Sequence, residues 1–400
     1  MSYIFRSDAP AVGDRVVVRR RFTVPAPTTA EAGADPSAGA GAGSTASAEA
    51  GADPSAGAGA GLGAGAGAGG SVVHSDVIGH VLSTDPLVVR PQEIGGYPSN
   101  LEAVKIPAEQ IQIIKKLSPR MVRNSDIRAV ETATAAAFPG KEHAWTSDGQ
   151  WLMRAGDGVT ERSNSATPLG PSAGFSPVPL DEIRAFYARH GLPVQLEIPE
   201  RIGKPAEKLV TQPGWQLGPE ITVMVRSLTQ EPPAPAEAER DGDVPEGAAS
   251  ASTVKDSTPW RFEITDQPDP DWLELYHFRG QALPAEALRY LRQRIDGTMG
   301  FGRLLDATGR TVAITRGTLT ESGDGTCWLG YSAVEVAATH RRRGLGTALG
   351  LHMLDWGRNN GAQRAYLQVL SSNIAGIGLY HKLGFIEQHR HRYATEVAPR

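Results

Sequence analysis

The residues best suited to chemistry lie near the C-terminus, in the run Val334-Glu335-Val336-Ala337-Ala338-Thr339-His340-Arg341-Arg342-Arg343-Gly344-Leu345-Gly346-Thr347. The order Arg341-x-x-Gly344-x-Gly346 joins positive charge to bare backbone, a combination that lets a phosphate reach main-chain N–H groups. The chemistry implied is the seating of a pyrophosphate. It is not a dinucleotide loop, since G-x-G-x-x-G is absent, nor a P-loop, since no Gly-Lys-Ser/Thr follows. A glycine-rich turn can equally serve backbone conformation alone, so the elements on either side decide.

Trp328 to Val336 carries the β-branched and aromatic residues of a strand. Leu345, Ala348, Leu349, Met353 and Trp356 recur at helical spacing, so a helix begins where the glycines sit. A helix N-terminus presents unpaired N–H groups and the positive end of the macrodipole. The basic turn therefore stands where an anion would be held. A second strand is expected over Ala365 to Leu370. Asn373 follows, and then Gly378-Leu379-Tyr380-His381-Lys382-Leu383-Gly384-Phe385.

In this order and at these separations the motifs resemble the acetyl-CoA-binding core of the GCN5-related N-acetyltransferase (GNAT) family, over roughly the last third of the chain. The resemblance implies an α+β, mixed-sheet acyl-CoA N-acyltransferase fold with acetyl-CoA as cofactor. Backbone amides from Arg341 through Arg342, Arg343, Gly344, Leu345 and Gly346 to Thr347 would hold the pyrophosphate. The pantetheine arm would lie along Val334 and Val336 like an added strand, with Asn373 touching it. Two parallel strands would diverge at the acetyl group.

The reaction implied is attack by an amine on the thioester. A lysine-like amine with pKa ~10.4 is roughly 0.04% neutral at pH 7, so a base is needed, typically contributing ~10²–10⁴-fold. Glu335 is one candidate and the cluster His389, His391, Tyr393 another, beside a water chain; a solvated strand carboxylate is the plainer reading of Glu335. Tyr380 matches the family's acid tyrosine and would protonate the departing thiolate, its plainer role being packing. Cys327 has nothing beside it in sequence to lower its pKa, which argues against an acetyl-cysteine route. The histidines show no metal-ligand spacing.

With 400 residues, two or three domains are expected. The net charge of −4 gives no global case for nucleic acid. A single cysteine fits a reducing compartment. Asp8 and Asp14 stand where a signal peptide would be apolar, so the expectation is a cytoplasmic protein with no membrane span.

Residues 1–118 read as a small β-barrel resembling the SH3 type, with short strands around Arg15 to Thr23, Val77 to Leu82, Leu87 to Arg90, Ala103 to Ile106 and Ile111 to Ile114. Its Ala/Gly-rich insert over 25–70, which repeats EAGADPSAGAGAG, buries too little to offset ordering costs and reads as a disordered region. Residues 119–227 resemble a second, degenerate GNAT-like half. RAFYARHGLPVQLEI there parallels DWGRNNGAQRAYLQV, and LVTQPGWQ parallels LYHKLGFI, but the arginine-glycine turn is missing. Within this half a helix is expected over Ser125 to Phe138 with Ser125 as N-cap, and a strand over Arg162 to Leu169, whose polar start Arg162-Ser163-Asn164-Ser165 either lines an acceptor pocket or, more plainly, is an edge strand of hydrogen-bonded polar residues. Residues 228–258 read as a flexible linker and 259–400 as the catalytic domain. The partners implied are acetyl-CoA and an amine acceptor. A second reading is a non-catalytic acyl-CoA sensor that uses the barrel as an interaction module.

Overall fold

The computed structural model describes residues 4–24, 71–229, 260–278, 281–282 and 285–397. The insert expected at 25–70 lies outside the described residues, as does nearly all of the linker expected at 228–258. The chain divides into two compact units. One is Arg6–Met121; the other runs over Val122–Arg400 and takes in Met1–Phe5. Among the described residues no helix is long and apolar enough to cross a membrane.

The Arg6–Met121 unit is built on β1 (Arg15–Val24), β2 (Ser71–Thr84), β3 (Leu87–Pro91), β4 (Val104–Ile106) and β5 (Ile111–Lys116). They form one antiparallel sheet in the order β4-β3-β2-β1-β5, consistent with a small barrel-like region. Val16 and Val18 alternate inward and pack with Val77, Val81, Leu87, Val89 and Ile106. On the outer face Arg19 and Asp76 pair at 2.9 Å.

The larger unit opens with α1 (Asn124–Ala137), β6 (Glu142–Trp145), β7 (Leu152–Ala155), β8 (Ala166–Thr167), α2 (Leu180–Arg189), β9 (Gln195–Pro199), α3 (Lys204–Leu209), β10 (Trp215–Leu217) and β11 (Ile221–Ser227). After residue 260 come β12 (Arg261–Thr265), α4 (Pro270–Glu274), β13 (His277–Phe278), β14 (Gln281–Ala282), α5 (Ala285–Arg294), β15 (Thr298–Leu305), β16 (Thr311–Ser322) and β17 (Thr326–Val336). The chain ends with α6 (Leu345–Asn359), β18 (Arg364–Leu370), α7 (Ile374–Lys382) and β19 (Ile386–Glu396).

Both expected correspondences appear as helix, left-handed glycine and strand. Gly191 (φ 63) lies between α2 and β9, as Gly361 (φ 90) does between α6 and β18. Gly214 (φ 94) lies between α3 and β10, as Gly384 (φ 77) does between α7 and β19.

The two halves do not keep separate sheets. One 12-stranded sheet runs β12-β15-β16-β17-β18-β11-β19-β9-β8-β7-β6, with β10 also on β19. β11 stands between β18 and β19, and β19 in turn pairs with β9. Each half thus gives its closing strand to the other. α1 crosses the same way: Val130 and Ala133 pack with Trp328 and Tyr366, and Thr320 Oγ1 donates to the Ala133 carbonyl at 2.9 Å.

Two local expectations need correction. The cap of α1 is not Ser125. The N-cap is Arg123, two residues earlier, where the Arg123 amide donates to Asp126 Oδ2 at 3.0 Å. Arg162–Leu169 is not a continuous strand either, because Asn164 gathers its own loop. Its Oδ1 accepts from the Gly156 and Gly158 amides at 2.8 and 3.1 Å, and its Nδ2 donates to Thr160 O at 2.7 Å. Only Ala166–Thr167 pairs as a strand.

Candidate active site

β17 and β18 run parallel but pair only through Trp328–Arg364, Leu329–Ala365 and Gly330–Tyr366. Beyond that they diverge, β17 continuing to Val336 and β18 to Leu370. β17 is bulged here. Ile314 faces Glu335 and Arg316 faces Ser332, so Ala333 and Val334 together oppose Thr315. Ala333 sits at φ 54, in the left-handed region a side chain rarely adopts.

Past Val336 the chain turns through residues 338–340 into the basic loop. Arg342 (φ 67) and Gly344 (φ 80) are left-handed, and Gly344 is the N-cap of α6. A Cβ at Gly344 would meet nothing within 4 Å, so glycine is there for the backbone angle and the adjoining space is open. The Thr347 and Ala348 amides both donate to the Gly344 carbonyl at 3.0 Å. The Leu345 and Gly346 amides, one turn too early for such a partner, head the helix.

A cleft of about 630 Å³ opens at this turn. Its walls are Val334, Glu335 and Val336 from β17, the turn residues Arg341, Arg342, Gly344, Leu345, Gly346 and Thr347, and Asn373 and Tyr380. Among the cofactor-binding candidates named from the sequence, Arg343 alone is not on that wall. Sequence reasoning missed the other contributors from α7, such as Ala375, Gly376 and Leu379. The small residues at 375, 376 and 378 were the available signal.

The side chains already have partners. Arg341 donates from Nη2 to Glu335 Oε1 at 2.8 Å and from Nε to the Val336 carbonyl at 3.0 Å. Asn373 caps α7, its Oδ1 accepting from the Gly376 amide at 2.9 Å. The Tyr380 ring stands edge-on to Tyr331 and Phe385, with centroids 6.1 and 6.3 Å away. Burial pushes the Tyr380 hydroxyl up to about 12, so it stays protonated at neutral pH and has a proton to donate.

His389, His391 and Tyr393, expected as alternative bases, line no part of this cleft. They are buried on β19 in a polar network. Glu131 of α1 lies 2.6 Å from His389 Nε2 and 3.2 Å from His391 Nδ1. Glu197 of β9 accepts from Tyr393 at 3.2 Å and from Arg154 of β7 at 2.9 Å. Burial alone would raise Glu131, but hydrogen bonds from both histidines hold its carboxyl well below the usual range. Burial would lower His391, yet Glu131 and then Glu197 raise it. Glu131 and Glu197 thus face Arg154 and the two histidines, and this mutual pairing is how such a set tolerates an interior. Cys327 is partly buried at the start of β17, and burial raises its thiol.

A second, smaller cavity of about 110 Å³ touches the bulge from Ser332 and Ala333. Phe138, Arg162, Tyr276 and Arg316 line it, and Val334, the next residue along β17, belongs to the larger cleft. Arg162 was singled out from the sequence. Arg316 was not, although a lone charge in the apolar run Val312-Ala313-Ile314-Thr315-Arg316-Gly317 was a signal.

The family model described as "Probable histone acetyltransferase Rv0428c C-terminal" matches residues 124–394. The Mycobacterium tuberculosis protein named "Probable histone acetyltransferase Rv0428c" is 33% identical over 320 residues, covering 80% of this chain and 88% of that protein. "Uncharacterized N-acetyltransferase YobR" of Bacillus subtilis is 26% identical over 275 residues, 67% of this chain and 98% of its own. Among solved structures, the tandem GNAT protein from the clavulanic acid biosynthesis pathway is 17% identical with a TM-score of 0.46, covering 68% of this chain and 88% of that one. A GCN5-related N-acetyltransferase from Kribbella flavida is 15% identical with a TM-score of 0.44, covering 68% and 95%.

Proposed function

Since the chain belongs to the family of the Rv0428c acetyltransferase C-terminal region, and is thus a GNAT-type acetyltransferase, we propose that it moves the acetyl group of acetyl-CoA to a primary amine by direct attack in a ternary complex. The observation that carries this reading is the divergence of β17 and β18 beside a cleft that ends in the Gly344 turn.

The residues present fit acetyl-CoA. The left-handed Gly344 leaves open space at the head of α6, and the Leu345 and Gly346 amides with Arg342 suit a diphosphate. Val334 to Val336 has one edge on β16 and its other edge past the end of the β18 pairing, where an extended arm can add as a strand. When bound, acetyl-CoA supplies an activated acyl thioester. Tyr380 holds a proton for the sulfur as it departs. Glu335 is the proposed acceptor of the amine proton. Its carboxylate is tied to Arg341, so acting as a base requires that guanidinium to turn away, toward the phosphates. The Arg6–Met121 unit is proposed as an SH3-like accessory module.

The test is release of CoA thiol across a panel of amines, with initial rates measured at varied concentrations of both substrates. Intersecting double-reciprocal lines are expected, together with a rise in melting temperature on adding acetyl-CoA. Parallel lines abolished by Cys327→Ser would replace direct attack with a cysteine-bound acetyl. Binding without turnover of any amine would make the protein a sensor.

A further inference from the structure

The smaller cavity bears on the acceptor. Two guanidinium groups line it, Arg162 and Arg316, and both lie against the Phe138 ring, at 4.6 and 5.5 Å from its centroid. Arg316 is only 3% exposed. Its hydrogen-bond partners are neutral: Nε donates to Ser332 Oγ at 3.2 Å and Nη1 to the Tyr276 hydroxyl at 3.1 Å. Neither arginine has a carboxylate partner among the described residues. Asp157, on the same wall, takes the Val159 amide at 3.0 Å rather than either arginine.

A buried cation held only by neutral groups is costly, and an oxyanion arriving from outside relieves that cost. Guanidinium groups match carboxylate and phosphate oxygens in geometry as well as charge. Leu288, Leu291 and Val159 add apolar surface to a wall that also carries Asp157, Thr160, Ser163 and His277. At about 110 Å³ the cavity is somewhat smaller than the ~150 Å³ that accepts a benzene ring, so it suits a compact group. Ser332 and Ala333 put its floor one residue from Val334, which belongs to the cofactor cleft. A molecule anchored by its oxyanion on the arginines would have its other end near the point where β17 and β18 diverge.

We propose, resting on the acetyl-transfer reading, that the acceptor is a small primary amine carrying an oxyanion, seated on Arg162 and Arg316, in preference to a lysine of a polypeptide. The test uses matched twins: leucine against isoamylamine, γ-aminobutyrate against butylamine, phosphoethanolamine against ethanolamine, and a lysine-bearing histone-tail peptide beside them. Turnover is read as CoA release. Binding is read by calorimetry with CoA present, which needs no acetyl transfer. At least one oxyanion member should exceed its twin by ~10-fold or more in kcat/KM and bind where the twin does not. Whether carboxylate or phosphate wins identifies the oxyanion. In Arg162→Gln the ratio between twins should fall toward one, and Arg316→Lys, which keeps the buried charge, should reduce it less.

Equal twins, or a peptide that outruns every small amine, overturns the proposal while leaving acetyl transfer intact. Selective binding of an oxyanion twin with no CoA release from any amine overturns acetyl transfer and leaves the anion site standing. Neither binding nor release overturns both.

Discussion

Tyr380→Phe removes one oxygen and keeps the ring, so the edge-on contacts with Tyr331 and Phe385 survive. The fold should hold to within ~1 kcal/mol. On the proposed role, what is lost is a proton at the sulfur. Burial pushes that hydroxyl up to about 12, whereas an ordinary thiol sits at ~8.5. Complete transfer to a free thiolate would therefore run uphill by ~3.5 units, or ~5 kcal/mol at ~1.36 kcal/mol per unit. The hydroxyl is better placed to donate as charge builds on sulfur than to deliver a proton afterwards. The same dry wall that raises Tyr380 also raises a thiol leaving into it, which narrows the gap. General acids contribute ~10²–10⁴-fold, and a donor this weak belongs near the lower bound, so kcat should fall by ~10²-fold with KM for acetyl-CoA nearly unchanged. The assay is steady-state CoA release, repeated with acetyl thioesters of more acidic thiols. The deficit of the variant should shrink as the leaving thiol becomes more acidic. A kcat within about twofold of the parent, or a deficit that ignores the leaving group, refutes the role.

Three further outcomes follow from the same geometry. Glu335→Gln removes a negative charge beside the phosphate turn and releases Arg341; if Glu335 only tethers that arginine, KM for acetyl-CoA should drop by a few-fold, whereas a base role would cost kcat ~10²-fold or more, and steady-state kinetics separate the two. Gly344→Ala asks a side chain to adopt φ 80 with nothing to clash against, so stability should fall by only ~1–2 kcal/mol while calorimetry shows acetyl-CoA affinity weakened by more than ~10-fold. The Glu131–His391 pair makes stability peak in mildly acidic solution. The depressed Glu131 carboxyl contributes above its unfolded value of ~4.3 and is lost as pH falls, and the raised His391 contributes below ~6.5 and is lost as pH rises through its folded value. Thermal unfolding from pH 3 to 9 should show both limbs, and a melting temperature that climbs steadily to pH 9 would contradict the pairing.

The arginine-glycine turn between strand and helix was legible because its signals are local: charge, glycine and periodicity lie within a dozen neighbouring residues. The elements on both sides of it came out at nearly their observed bounds for the same reason. The buried network was not legible, since Glu131, Arg154, Glu197 and His391 meet only after four distant segments fold together. Read one at a time, Glu131, Arg154 and Glu197 carry no sign of one another, and the cluster at His389, His391 and Tyr393 gives no hint of its carboxylate partners. The loop at Arg162–Ser165 misled because its polar residues suit an edge strand, while the Asn164 side chain supplies the hydrogen bonds a neighbouring strand would have made. Strand order was beyond reach. Periodicity assigns a face to β11, but nothing in its sequence says that its neighbours will be β18 and β19.

That exchange of closing strands has a practical corollary. Expressed alone, residues 260–397 would lack the strand that fills the space beside β18, and residues 122–229 would lack the one that covers β9, so each piece would present a raw sheet edge. Supplied together, the two pieces hold complementary edges and should reassemble. Neither piece alone is expected to release CoA, and co-expression of both should restore it, which a CoA-thiol assay on the separate and mixed pieces checks.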